Sequence, residues 1–267
     1  MQEFIYDNKI KEIPETLEEL SPDQYYRYLE LVLMMNTGKI SPFEMRCKLV
    51  SLFLGMKCNF TIYKESIVKE ISAQLHKVDA FFDITEESGK LIYDPHIKSG
   101  KNLLPSYKKW KGPDDMLNNI TFGQFVQCLN LAKAIEVAQK ENDNRQVDGL
   151  MFEFGGILYI NTESQIGENK LPPLVCFHSY LFFCAVWELV YSVPIPINGE
   201  DINFSILFQE PYGEKRADDK TGWAGVAYEI ASSGVFGNVK QINDTPFWDV
   251  LLYLYKCRFE SIHNKKQ

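Results

Sequence analysis

Apolar residues recur along this chain at helical spacing, and the runs that carry them begin with the same short grammar. Tyr25, Tyr28, Leu29, Val32, Leu33 and Met35 fall on one helical stripe, which predicts a helix over 22–36 closed by Asn-Thr-Gly. "SPDQ" at Ser21 and "SPFE" at Ser41 place a serine before a proline, with Gln24 or Glu44 three residues on. That is the pattern of a capping box with proline at the first helical position. "TFGQ" at Thr121 repeats the box, and "TPFWD" at Thr245 repeats the Thr-Pro start. Ser21, Ser41, Thr121 and Thr245 are therefore expected to be N-caps.

The same periodicity predicts helices over 42–54, 65–76, 122–140, 147–159, 174–191, 223–232 and 246–259. Period-two segments are fewer. "FFDI" and "KLIYD" flank "TEESG" as a β-hairpin, and "EFIYDNKIKEI" reads as another with Asp7-Asn8 at its turn. The expected fold is mainly α, a multi-helix bundle-like architecture with one or two small β-hairpins. A Pro-, Gly-, Lys- and Asn-rich segment over 95–119 is expected to connect an amino-terminal part, 1–94, to a carboxy-terminal part, 120–267.

Composition narrows the function classes. Hydrophobic residues make up 45% of the 267 and charged residues 24%, an ordinary soluble balance. The formal net charge is −8 and the pI near 5.2, which argues against nucleic acid as a partner, because phosphate recognition needs clustered basic surface. The densest basic stretch holds Lys108, Lys109 and Lys111 around Trp110, followed at once by Asp114 and Asp115. It is read as a solvated loop. The amino terminus has no secretory pattern. The apolar run 174–193 is long enough for a bilayer, but it carries His178 and Glu188 between prolines, so a buried core helix is expected and no membrane. The six cysteines include no C-x-x-C pair and sit among apolar residues, as reduced core thiols would.

Catalytic patterns are sparse. The four histidines form no i, i+4 pair, and no phosphate-binding or nucleophile-elbow motif is present. Cys176 and His178 make a C-x-H too short to define a zinc site. Asp114 and Asp115 lack a third acidic neighbour at hard-cation spacing, and turn chemistry with Asn118 and Asn119 explains them better. Gly155-Gly156 inside a helical pattern reads as close helix packing or a break. No catalytic, cofactor or metal residue is expected. An enzyme site built from Cys176, His178 and Glu188, or from Asp114 and Asp115, is the alternative, and a host regulatory adaptor is a third reading.

Rings concentrate near the carboxy terminus. Trp223, Tyr228, Phe236, Phe247, Trp248 and Tyr255 exceed what two short helices need for one buried stripe. They are the candidate contact residues for a protein partner.

Three stretches carry a resemblance: "LEELSPDQYYRYLEL", "NLLPSYKKWKGPDDMLNNITFGQF" and "GWAGVAYEIASSGVFGNVKQINDTPFWDVLLYL". In this order they resemble a family of uncharacterised proteins from tailed phages and prophages. The chain departs from that family's pattern at "ILYINTES", 157–164. The resemblance implies a non-enzymatic protein of tail morphogenesis, an assembly chaperone or minor structural component. It further implies a phage tail component as partner, and a place in the host cytoplasm or in the virion. It brings no catalytic residues.

Overall fold

The computed structural model describes residues 2–6, 9–56, 65–95, 97–163, 170–208 and 221–264. It is mainly α, with small hairpins. The chain forms two compact units, Met1–Ser99 and Gly100–Gln267. The division falls inside the segment expected to be a connecting loop, and the residues after Ser99 belong to the second unit.

The first unit opens with a hairpin of β1 (Gln2–Tyr6) and β2 (Lys9–Ile13); its expected turn, Asp7-Asn8, lies outside the described residues. Helices α1 (Pro22–Asn36), α2 (Pro42–Phe53) and α3 (Glu65–Gln74) follow, then a 3-10 turn, Leu75–Phe81. A hairpin of β3 (Phe82–Glu87) and β4 (Lys90–Pro95) closes the unit through Ser88 and Gly89, both at positive φ. Tyr25, Tyr28, Leu29, Met45, Leu49, Phe53 and Phe81 form its core. Burial raises the Tyr28 phenol far above its usual range, so it stays protonated and donates to the Phe81 carbonyl.

Both expected serine caps are present. Ser21 accepts from the Gln24 N–H while Gln24 accepts from the Ser21 N–H, and Ser41 with Glu44 does the same. The Ser41 backbone N–H lowers the pKa of Glu44, as a bond to the charged carboxylate must. Thr121 and Gln124 form a third box. Thr245 corrects the fourth expectation. Its hydroxyl donates to the Gln241 carbonyl at 2.8 Å, and the following helix starts at Phe247. Ser21, Ser41 and Thr121 changed singly to Ala should each cost about 0.5–2 kcal/mol, whereas Thr245→Ala should cost less. Chemical denaturation of the four variants checks the ranking.

The second unit holds a three-stranded sheet of β5 (Ser106–Tyr107), β6 (Trp110–Lys111) and β7 (Ile160–Asn161). Its helices are α4 (Phe122–Lys140), α5 (Asn144–Leu158) and α6 (Pro173–Ser192), then α7 (Gly222–Ser233), α8 (Val239–Asn243) and α9 (Phe247–Asn264). Between α6 and α7 lie β8 (Ile195–Ile197) and β9 (Glu200–Ile202), joined by Asn198 and Gly199 at positive φ. Neither this hairpin nor α8 is expected from the periodicity.

Helix α6 is long and apolar enough to cross a membrane, and 61% of its most apolar window is buried within the chain. It packs on α5, with the close approach at Gly155. A Cβ there would stand 2.7 Å from the Leu171 side chain and 2.9 Å from Cys176 Sγ. Gly156 faces open space, so the two adjacent glycines divide into one packing residue and one exposed one. The core of this unit is aromatic. Phe125 is fully buried, and its ring lies 4.1 Å from that of Phe247, stacked, and 5.1–5.7 Å from those of Trp187, Trp223 and Phe183.

Candidate functional site

The segment 100–119 is where this unit departs furthest from ordinary backbone. Met116 and Leu117 both have positive φ, 53° and 57°, a left-handed conformation that costs roughly 1–2 kcal/mol per non-glycine residue. Nothing local explains it, since neither is Gly, Asn or Asp. Long-range bonds hold it. The Met116 N–H donates to the Gly100 carbonyl at 2.6 Å, and Trp248 Nε1 donates to the Met116 carbonyl at 2.9 Å. Leu117 is buried.

Asn102 is the centre of the same segment. Its Nδ2 donates to the Pro113 carbonyl at 2.6 Å, and its Oδ1 accepts from the Leu104 N–H at 2.9 Å. Those partners fix the orientation of the amide, because a proline carbonyl only accepts and a backbone N–H only donates. His178 Nε2, 2.9 Å from the same Oδ1, must therefore carry the proton. The Asn102 N–H donates to Asp115 Oδ1 at 2.8 Å. Tyr159 donates its hydroxyl to the Leu104 carbonyl, and its ring lies so close to Gly112 that a Cβ there would meet it at 2.6 Å.

Burial alone pushes the His178 pKa down to about 3. The unfolded chain takes up this proton near pH 6.5 and the folded chain does not, so acid favours unfolding across that window. Stability should fall by about 1 kcal/mol per pH unit between pH 6 and 4 on account of this one group. The measurement is the urea midpoint against pH, with His178→Gln expected to show a shallower slope.

The carboxylates and thiols considered for catalysis are not assembled. Asp115 is committed to the Asn102 N–H, and Asp114 precedes a 3-10 turn with its own N–H donated to Asn119 Oδ1 at 2.8 Å. Cys176 is buried beside the Leu171 carbonyl, and burial pushes its thiol up to about 11, so it is not a thiolate nucleophile at neutral pH. Glu188 is exposed. Among the described residues, no three His, Cys, Asp or Glu side chains gather as metal ligands.

The carboxy-terminal ring candidates divide. Phe247 is buried against Phe125, and Trp223 is half-buried between Phe122, Phe125 and Trp187. Trp248 is half-buried, with its Nε1 bonded to Met116, and Tyr255 packs on Phe204. Phe236 meets Tyr253 edge to face. Tyr228 is 66% exposed and is the one of the six that stands mainly in solvent. Of the six, Phe247 belongs to the core, Trp223, Phe236, Trp248 and Tyr255 are half-buried, and Tyr228 is exposed.

What the braced segment presents to solvent is a short hairpin, where the run of lysines predicts a solvated loop. Tyr107 pairs directly with Trp110 across β5 and β6, so both rings lie on one face of the ladder. The turn between them is Lys108-Lys109, with Lys108 at φ 52°. The Lys109 carbonyl accepts from both the N–H and the hydroxyl of Thr162, at 2.9 and 2.8 Å, and the Gly112 N–H donates to the Pro105 carbonyl. Tyr107, Lys108, Lys109 and Trp110, with Lys170, Pro172 and Glu163, line a cavity of about 520 Å³.

Resemblance to known proteins is thin. The ribosome maturation factor RimP of Mesoplasma florum is 24% identical over 125 residues, an alignment covering 38% of this chain and 76% of that protein. No family model matches the chain, and no solved structure matches it. The alignment overturns the role in tail morphogenesis, and with it the description as a phage or prophage protein, because the relative found is a factor of ribosome maturation.

Proposed function

We propose that this chain acts in ribosome maturation by binding a ribosomal component. The observation that carries the reading is the alignment with RimP. The geometry agrees with a binding role. The second unit devotes its strained turn, its buried His178–Asn102 pair and the Gly112–Tyr159 approach to holding a surface hairpin in place. Neither Cys176 nor the Asp114-Asp115 pair is poised for chemistry. The test is co-sedimentation of the purified chain with ribosomal subunits and their precursors, alongside subunit profiles of cells lacking the gene. Association with a precursor and accumulation of immature subunits are expected. A chain that sediments alone, with normal profiles in the deletion strain, would overturn the reading.

A further inference from the structure

We infer that the groove between the β5–β6 hairpin and the amino end of α6 is a binding site for single-stranded RNA. The choice of RNA over other polyanions rests on the proposed role in ribosome maturation; the site itself rests on geometry. The groove supplies the two things such a strand needs. Tyr107 and Trp110 stand opposite each other on one face and line it; Lys108 Nζ covers the Tyr107 ring at 5.4 Å, and the Trp110 ring is the stacking surface for a base. Lys108, Lys109 and Lys170 line it as well, with Glu163 as the opposing charge among the described residues. Pro172, the N-cap of the 20-residue α6, borders the same space, and the positive end of that helix adds to the potential there. A volume of about 520 Å³ lies within the range of small-ligand sites, roughly 300–1,000 Å³.

The net charge of −8 opposes polyanion binding overall, so the site depends on its local lysines. Lys101, Lys108, Lys109 and Lys111 cluster within residues 100–113, with Asp114 and Asp115 directly after them, and Asp115 is bonded to the Asn102 N–H. Lys108 is the most telling residue. It occupies a turn position with φ 52°, where glycine would relieve the backbone. The Lys108 ammonium lies 5.4 Å from the centre of the Tyr107 ring, a cation–π contact that a phosphate in the groove would share or replace.

That strain makes a clean test. Lys108→Gly removes the charge and should leave the fold intact or firmer. Binding of a fluorescent oligouridylate to the full chain is measured across salt concentration, with Trp110 emission followed in parallel. The wild type is expected to bind, with Trp110 quenched. Lys108→Gly should bind several-fold more weakly and lower the log–log salt slope by about 0.7, one phosphate contact on a single strand. Trp110→Leu, which keeps apolar bulk without a stacking face, should lose roughly tenfold. Equal binding by Lys108→Gly, or equal competition by polyglutamate and by oligouridylate, would overturn the site. If the oligonucleotide fails to bind while the chain still co-sediments with ribosomal particles, this inference falls and the proposed function stands. Binding of the oligonucleotide without co-sedimentation would uphold the site and overturn the proposed function.

Discussion

Replacing Asn102 with alanine is expected to destabilise the protein by about 3 kcal/mol, because one buried amide serves three partners. The change removes the bonds to the Pro113 carbonyl, the Leu104 N–H and His178 Nε2. It takes the acceptor from the His178 Nε2–H in a site where that residue is 1% exposed, and losing a buried partner costs about 1–3 kcal/mol by itself. Asn102→Asp separates donors from shape. Aspartate retains both accepting bonds but sets an oxygen against the Pro113 carbonyl, so it should be no better than alanine. Equilibrium denaturation of the two variants decides the point. A loss below about 1 kcal/mol for alanine, or rescue by aspartate, would mean that the amide only fills space.

The second large effect lies in the aromatic core. Phe125→Ala should cost about 3–5 kcal/mol, since it deletes a fully buried ring and leaves a cavity that rigid neighbours cannot close. Phe122, Phe183, Trp187, Trp223 and Phe247 all meet this ring, and aromatic neighbours relax poorly into a void. For a unit of this size each kcal/mol lowers the midpoint by about 2–4 °C, so a drop near 10 °C is expected. Phe125→Leu, which refills most of the volume, should recover more than half. Near-ultraviolet circular dichroism during thermal unfolding reports on the tryptophans around it. A midpoint within about 3 °C of wild type would contradict the central place given to this ring.

The contrast between what is legible in the residues and what is not follows the range of the forces. Ser21, Ser41 and Thr121 are legible as caps because each box closes within four residues. Thr245 has the same local pattern and behaves differently, for its hydroxyl turns back to Gln241 in a short helix that the periodicity does not reveal. The Asn198-Gly199 hairpin has a local signal, a dipeptide suited to two positive φ angles, which the surrounding prolines obscure. The left-handed pair Met116-Leu117 has none. Its conformation is imposed by Gly100 and by Trp248, 132 residues from Met116. His178 and Asn102 likewise meet across 76 residues. The groove is half legible. Its lysines and Trp110 stand out as a run, yet only strand pairing sets Tyr107 beside Trp110, and only the fold brings Lys170 to the same place.

The chain entering α4 and the chain entering α9 are pinned together: the Phe122 N–H donates to the Thr245 carbonyl, and the Phe247 N–H to the Ile120 carbonyl. During synthesis α4 emerges long before its partner. Helices α6 and α7 reach Phe122 and Phe125 first, but until α9 has left the exit tunnel the side of Phe125 that stacks on Phe247 waits uncovered. A contact closed across so long a stretch of chain forms late and slowly. The nascent second unit is therefore exposed to aggregation until α9 arrives, and a message truncated before codon 245 should yield insoluble product rather than a shorter folded protein.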